Sequence, residues 1–224
     1  MNQLTLFDLD HTLLPIDSDY AWGEFTLRLG WVDPVEFKKK NDQFYSDYQK
    51  GTLDIHDYVY FATQAIRLRG LNEAQKAHVQ FMQEVIEPAI KDEAKQLIQT
   101  HKDRGDHVMI VTATNEFVTR PIAKALGVEE LIAVELERDE SGWINGKIKG
   151  VPSMREGKVT RLKQWFAQRG DKWENTDITF YSDSTNDLPL LSAVNHPIAT
   201  NPDEKLRAWA LEKGWPILDL FPSV

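Results

Sequence analysis

The chain has 224 residues, 42% of them hydrophobic, which suffices for one large domain or a core domain carrying a smaller insertion. Its 26 basic and 35 acidic residues give a formal charge of −9, which argues against general affinity for nucleic acid or an anionic membrane and leaves metal cations and small charged ligands open. It has no cysteine, hence no disulfide or thiolate chemistry, and no basic leader or run approaching the roughly 20 apolar residues of a membrane span, so the expectation is a cytoplasmic protein.

The first predicted strand, residues 4–7, runs straight into Asp8-Leu9-Asp10-His11-Thr12-Leu13-Leu14. Two carboxylates one residue apart at the exit of an apolar strand are costly to bury and disfavoured by strand propensity, so they ask for a functional reason. Residues 16–87 then read as helices only, on the spacings Trp22, Phe25, Leu29; Phe37, Phe44, Tyr48; Ile55, Tyr58, Val59, Ala62, Ile66; and Ala74, Phe81, Val85. A further helix is predicted over 88–104, with Ile90, Ala94, Leu97 and Ile98 on one face and Gly105 at its end.

Strands follow at 108–111 and 131–134, then a hairpin at 135–150 marked by Asp139-Glu140-Ser141-Gly142 and Asn145-Gly146. Val159, Leu162 and Phe166 predict a helix that carries Lys158 in its first turn and ends near Gly170. A strand at 178–181, a helix at 187–194, a strand at 197–200 and a helix at 203–213 complete the order. Alternating strands and helices predict an α/β fold, a Rossmann-like doubly wound parallel sheet. The division expected is a core of residues 1–15 and 88–224, with 16–87 as a helical insertion over the carboxyl end of the first strand, where such sheets bind ligands.

Polar groups gather at the predicted strand exits. Thr112-Ala113-Thr114-Asn115 offers a hydroxyl and backbone N–H groups to an anion at a helix start. Lys158 alone reads as a solvated lysine, but beside these groups it places one ammonium against an anion. In Ser182-Asp183-Ser184-Thr185-Asn186-Asp187 the carboxylates complete an oxygen-only set for Mg²⁺ together with Asp8.

Asp8-Leu9-Asp10-His11-Thr12-Leu13, Thr112, Lys158 and Asp183 with Asp187 resemble, in order and type, the four motifs of the haloacid dehalogenase superfamily of phosphohydrolases, along the whole chain. The insertion is similar to the C1-type helical cap of its phosphoserine-phosphatase-like branch, subfamily IB. The resemblance implies a Mg²⁺-dependent hydrolase of small phosphomonoesters in which Asp8 is the nucleophile and Asp10 the general acid and base. It makes Thr112, Ala113 and Lys158 the phosphate-binding set, with Asn186 reaching the phosphate or orienting Asp183, and Asp8, the Asp10 carbonyl and Asp183 the metal set, with Asp187 a direct ligand or one step behind it. His11 falls at a position the family varies and is given no role.

In that branch an acidic residue nine positions after the nucleophile meets a substrate ammonium, which here is Asp17. The arginine that clamps a substrate carboxylate there corresponds to Ala62, with Arg67 and Arg69 further along the helix as replacements. Ala113-Thr114 and the serines flanking Asp183 stand where phosphoserine phosphatases carry glycines. The run from Asp17 to Gly23 resembles that of subfamily IB proteins assigned as histidinol-phosphate phosphatases, which implies Asp17, Asp19 and a stacking Trp22 as specificity residues and histidinol phosphate as substrate ahead of phosphoserine. Read without the resemblance, Asp17 to Asp19 is a helix N-cap and Trp22 is core. A non-catalytic phosphate-binding module and a phosphotransferase are the rival functions, and the oligomeric state is not legible.

Overall fold

The computed structural model describes residues 3–221. After β1 (Gln3–Phe7) the chain is helical through α1 (Ser18–Arg28), α2 (Pro34–Lys50), α3 (Ile55–Ala62), α4 (Gln64–Arg69), α5 (Leu71–Phe81), a π-helical turn at Met82–Ile86 and α6 (Glu87–Ala89). Then come α7 (Asp92–Asp103), β2 (His107–Asn115), α8 (Glu116–Ala125), β3 (Glu130–Val134) and the antiparallel hairpin of β4 (Leu136–Arg138) and β5 (Ile144–Ile148). The chain continues through α9 (Glu156–Arg169), β6 (Asp177–Ser182), α10 (Leu188–Leu191), β7 (His196–Thr200), α11 (Glu204–Lys213) and β8 (Ile217–Leu218).

Six strands form one sheet in the order β3-β2-β1-β6-β7-β8, every neighbouring pair parallel. Both faces are covered, which is why these strands read as continuous apolar runs instead of alternating ones. Leu4, Leu6, Met109, Val111, Ile178 and Phe180 face one way, onto Leu162 and Phe166 of α9 and Leu206 of α11. Phe7, Ile110 and Tyr181 face the other way, into a core that continues through α7 and α8 to Trp22, Phe25 and Phe81 of the helical stretch. This is the doubly wound α/β sheet the alternation predicts, with β1 central and the strand order reversing beside it, where ligands bind.

The helices of the first stretch begin on acidic caps. Asp17, Asp33 and Asp54 each accept backbone N–H bonds at the starts of α1, α2 and α3, satisfying donors that have no partner inside the helix. Three predicted boundaries move. The helix expected at 88–104 is broken where Ile90 and Lys91 turn extended, and the one carrying Ile55 to Ile66 divides at Thr63, whose hydroxyl donates to the Val59 carbonyl at 2.7 Å. The helix expected at 187–194 is a 3₁₀ turn, Thr185–Asp187, followed by the short α10.

The loop that leads into α9 is packed backbone to backbone. A Cβ on Gly157 would fall 1.9 Å from the Pro152 carbonyl oxygen, far inside van der Waals contact. Gly157→Ala is therefore expected to displace the first turn of α9 and to lower kcat/KM on a generic phosphate ester by roughly a hundredfold, since misplacement by about 1 Å costs that much. Steady-state kinetics on the purified variant check it.

Candidate active site

The strand ends of β1, β2 and β6 meet α9 at one point. The sheet pairing of β1 runs one residue past the strand, where the Asp8 N–H donates to the Tyr181 carbonyl at 2.9 Å and fixes the Asp8 backbone. The chain then turns sharply: the Leu13 and Leu14 N–H groups both donate to the Leu9 carbonyl, and His11 adopts φ 56°. This turn leaves Asp10 facing the start of α1, and its carboxylate accepts from the Ser18 N–H at 2.7 Å and the Thr114 hydroxyl at 2.8 Å. In β2 the register breaks between Val111 and Asn115, a bulge that re-aims Thr112, Ala113 and Thr114 as bulges beside active sites do. The Thr112 hydroxyl accepts from the Thr114 N–H at 3.1 Å, and the Thr112 carbonyl is held by the Ser153 hydroxyl at 2.7 Å.

Lys158 reaches from the first turn of α9 to the centre of this group. Its ammonium, 2% exposed as a residue, donates to Asp8 at 2.8 Å and to Asp187 at 2.6 Å. Asp187 is held in turn by the Ser182 hydroxyl at 2.8 Å, and Asp183 accepts from the Thr12 hydroxyl at 3.2 Å.

Burial and like charge raise every carboxylate here. Asp10 is pushed up to about 6, first by burial and then by Asp17. Asp187 is also raised to about 6 by burial, against the pull of Lys158. Asp8 is raised by burial in spite of Lys158, and Asp183 goes well above the carboxylate range through burial and the charges of Asp8 and Asp187. Burial depresses Lys158, but Asp187 and Asp8 more than offset it and the group stays firmly cationic. One ammonium against four carboxylates leaves negative charge that a divalent cation or a proton must balance.

Among the described residues no group of three or more His, Asp or Glu side chains is arranged to hold a metal by itself. A Mg²⁺ site needs only one or two carboxylates, completed by water and phosphate oxygens. The excess negative charge around Asp8 and Asp183 fits that pattern.

A cavity opens over these residues. Of the residues singled out in the sequence it is lined by Asp8, Asp10, Thr112, Ala113, Asp183, Asp17 and Asp19. Four others lie elsewhere. Lys158 and Asp187 do not line the cavity and lie behind Asp8, with Asp187 bonded to Lys158 and Ser182. Asn186 was expected at the phosphate; instead its amide donates to the Tyr48 carbonyl at 3.2 Å and its oxygen accepts from Arg155 at 3.3 Å, because the 3₁₀ turn points it at the end of α2. Trp22 does not line the cavity. It shares the buried stripe of Phe25 and packs on Phe25, His78, Phe81 and Phe117 at centroid separations of 5.1–5.7 Å.

The replacement arginines are also absent from the cavity. Arg67 lies over the Tyr60 ring and donates to the Tyr60 carbonyl, and Arg69 faces Trp31 and Glu73. Asp17 combines both readings, capping Tyr20 at 2.8 Å while lining the cavity. Asp19 is raised to about 7 by burial and by Asp17, and accepts from the Asn115 amide at 3.1 Å.

Several site residues were not anticipated. Thr114, Ser182 and Ser18 hold the essential carboxylates, and Tyr20, Asn41, Phe44, Tyr45, Tyr48 and Tyr58 build the far wall. The Thr114 and Ser182 hydroxyls were visible as departures from glycine in the second and fourth motifs, whereas Ser18, which acts through its backbone N–H, lies in neither. The wall gave no signal, because its members come from three helices that only the fold brings together.

The family model for haloacid dehalogenase-like hydrolases matches residues 5–192. The chain belongs to that family. A histidinol-phosphatase of Neisseria meningitidis serogroup C is 42% identical over 220 residues, spanning 98% of this chain and 99% of that protein. Phosphoserine phosphatase SerB1 of Mycobacterium tuberculosis is 30% identical over 220 residues, 95% of this chain and 69% of that one. Among solved structures, a protein of unknown function from Bordetella pertussis Tohama I superposes with a TM-score of 0.93 at 44% identity, covering 99% of this chain and 100% of that one. A substrate-bound phosphoserine phosphatase superposes with a TM-score of 0.67 at 18% identity, covering 98% and 93%, which bears on the fold alone. No described helix is long and apolar enough to cross a membrane.

A raised folded-state pKa means that the ionised carboxylate opposes folding, so its contribution is favourable at low pH and is lost as pH rises through the folded value. For Asp10 and Asp187 that value is about 6, and Asp183 is raised well above the ordinary carboxylate value by burial and by Asp8 and Asp187. Without metal, Asp183→Asn is expected to melt above the wild type, by a margin that grows as pH rises above the ordinary carboxylate value. Added Mg²⁺ is expected to raise the wild-type Tm and leave the variant's unchanged. Thermal melts with chelator and with Mg²⁺ check both.

Proposed function

We propose that this hydrolase of phosphoric monoesters acts on histidinol phosphate, releasing histidinol and phosphate through an aspartyl phosphate on Asp8, as a step of histidine biosynthesis. In this reading residues 16–87 are the cap, residues 1–15 and 88–224 the core, and the cavity between them the substrate site. The observation that carries the substrate choice is the far wall of that cavity. It presents the carboxylates of Asp17 and Asp19 and the rings of Tyr20, Phe44, Tyr45, Tyr48 and Tyr58, with no arginine or lysine among the described residues that line it.

Histidinol phosphate carries an ammonium and a flat, protonatable ring, and no carboxylate. Asp17 and Asp19 match its positive charge, and the aromatic wall accepts its ring by stacking and cation–π contact. Phosphoserine carries a carboxylate that these residues would repel, and Arg67 and Arg69 are engaged elsewhere. The 42% identity to a histidinol-phosphatase over almost all of both chains supports the same choice.

Asp8 attacks phosphorus, and the ester P–O bond breaks. The proton for the departing alkoxide comes from Asp10, whose value near 6 keeps a useful fraction protonated near neutrality and whose two oxygens are oriented by Ser18 and Thr114. The Asp10 carboxylate so formed then takes a proton from the water that attacks the phosphorus of the aspartyl phosphate, freeing Asp8. Thr112 and the Ala113 N–H hold phosphoryl oxygens, and Lys158 offsets the charge that would otherwise keep a carboxylate from approaching a phosphate. The Asp8 and Asp183 carboxylates with the Asp10 carbonyl would hold Mg²⁺, which when bound neutralises phosphoryl charge.

Wild-type kcat/KM is expected to favour histidinol phosphate over phosphoserine by at least roughly a hundredfold. Asp8→Asn is expected to bring turnover of both below detection. Phosphate release from the two esters, measured side by side, checks this; a preference for phosphoserine contradicts the substrate, and an active Asp8→Asn contradicts the nucleophile.

A further inference from the structure

Asn201, the first residue after β7, stands outside the catalytic and binding groups yet commits its whole side chain to the turn that carries them. It adopts φ 47°, a left-handed conformation uncommon outside glycine. Its amide nitrogen donates to the His11 carbonyl at 2.9 Å and to the Thr12 carbonyl at 3.3 Å. Its amide oxygen accepts from the Leu220 N–H at 2.7 Å and the Phe221 N–H at 3.1 Å. Two carbonyls on one side and two N–H groups on the other match a carboxamide in one orientation only.

Both donated bonds bear on reacting groups. His11 follows Asp10 directly and is itself left-handed at φ 56°, the bend that leaves Asp10 facing Ser18 and Thr114. The His11 N–H makes only a long bond of 3.3 Å, to the Ile16 carbonyl, so the 2.9 Å bond from Asn201 is the tighter hold on this conformation. Thr12, fully buried, donates its hydroxyl to Asp183, and the Asp203 N–H, two residues past Asn201, donates to the Asp183 carbonyl at 3.2 Å. The exit of β7 thus braces the exits of β1 and β6, and is itself anchored to the segment after β8. Left-handed residues other than glycine persist where their surroundings over-determine them, and here two of them hold each other.

We propose that Asn201 is a positioning residue for the acid–base step: by holding the His11 and Thr12 carbonyls it keeps Asp10 within proton-transfer reach of the leaving-group oxygen. The inference rests on the reading of Asp10 as the general acid and adds the group that sets its place. A carboxyl that keeps its own hydrogen bonds still misses the ester oxygen if the turn beneath it relaxes, and a displacement of about 1 Å is enough to matter. The consequence is selective. An alkoxide departs only with a proton, whereas nitrophenolate departs without one, so a misplaced Asp10 slows cleavage of an alkyl ester more than that of a nitrophenyl ester.

The test is single-turnover cleavage, with enzyme in excess and Mg²⁺ saturating, of p-nitrophenyl phosphate and of whichever alkyl ester, histidinol phosphate or phosphoserine, the wild type cleaves faster. Ester cleavage ends at the aspartyl phosphate, so the later hydrolysis does not enter, and the ratio of the alkyl to the nitrophenyl rate within one protein cancels any loss of active fraction. The proteins are the wild type, Asp10→Asn, Asn201→Asp and Asn201→Gly. Asn201→Asp keeps the shape and the acceptor for Leu220 and Phe221 but presents no N–H to His11 and Thr12, and Asn201→Gly keeps the left-handed backbone and removes the side chain. Asp10→Asn is expected to lower the ratio by at least about 100-fold, and both Asn201 variants by about tenfold or more. An unchanged ratio in the Asn201 variants beside a lowered one in Asp10→Asn overturns the role of Asn201 and leaves the acid standing. A fall confined to Asn201→Gly overturns it too, since the effect then belongs to the segment after β8. An unchanged ratio in Asp10→Asn overturns the acid and this inference with it.

Discussion

The buried ammonium of Lys158, held between Asp8 at 2.8 Å and Asp187 at 2.6 Å, is the contact on which the site depends. It ties the end of β1, the start of α9 and the turn after β6 to one point, and it does so with charges that are expensive to bury. Removing any partner would leave an uncompensated charge inside the protein, so the arrangement is stable only as a set. Gly157 allows α9 to begin close enough to supply the lysine, and Ser182 fixes the far carboxylate. The geometry at Asp8 thereby depends on groups drawn from several separate elements of the fold.

Around that contact the fold accumulates more negative charge than it can satisfy. Asp10, Asp17, Asp19 and Asp183 all stand above their ordinary values because burial and neighbouring carboxylates, Asp8 and Asp187 among them, oppose ionisation. This excess is a stored demand for positive charge, and the site divides it. On the sheet side, near Asp8 and Asp183, it suits a metal and a phosphoryl group; on the helical side, near Asp17 and Asp19, it suits a cationic leaving group. The same electrostatics thus bear on mechanism and on substrate, through residues on opposite walls of one cavity.

Much of this was legible before the structure. Parallel strands buried on both faces leave continuous apolar runs, so β1, β2, β3, β6 and β7 stand out, and carboxylates at their ends are conspicuous against that background. The two residues of β8 carry too little pattern to register, and the break at Ile90 and Lys91 is hidden because apolar spacing continues across it. The ion pair of Lys158 with Asp187 was not legible, since spacing tells which residues converge but not how they pair. Trp22 misled because an aromatic beside two acids suggests a binding platform, whereas its spacing with Phe25 already placed it on the core stripe. The tyrosine wall and Asn41 were invisible because α1, α2 and α3 meet only through tertiary packing.

The central claim, that Asp8 is the group that takes the phosphoryl from substrate, is tested most directly by acid-quenching the enzyme during turnover of histidinol phosphate and mapping phosphorylation by peptide mass spectrometry. The account predicts a phosphoryl group on Asp8 that appears before steady state and is chased off when substrate is exhausted. Sustained turnover with no phosphoryl group on Asp8, or with one on another residue, would contradict it.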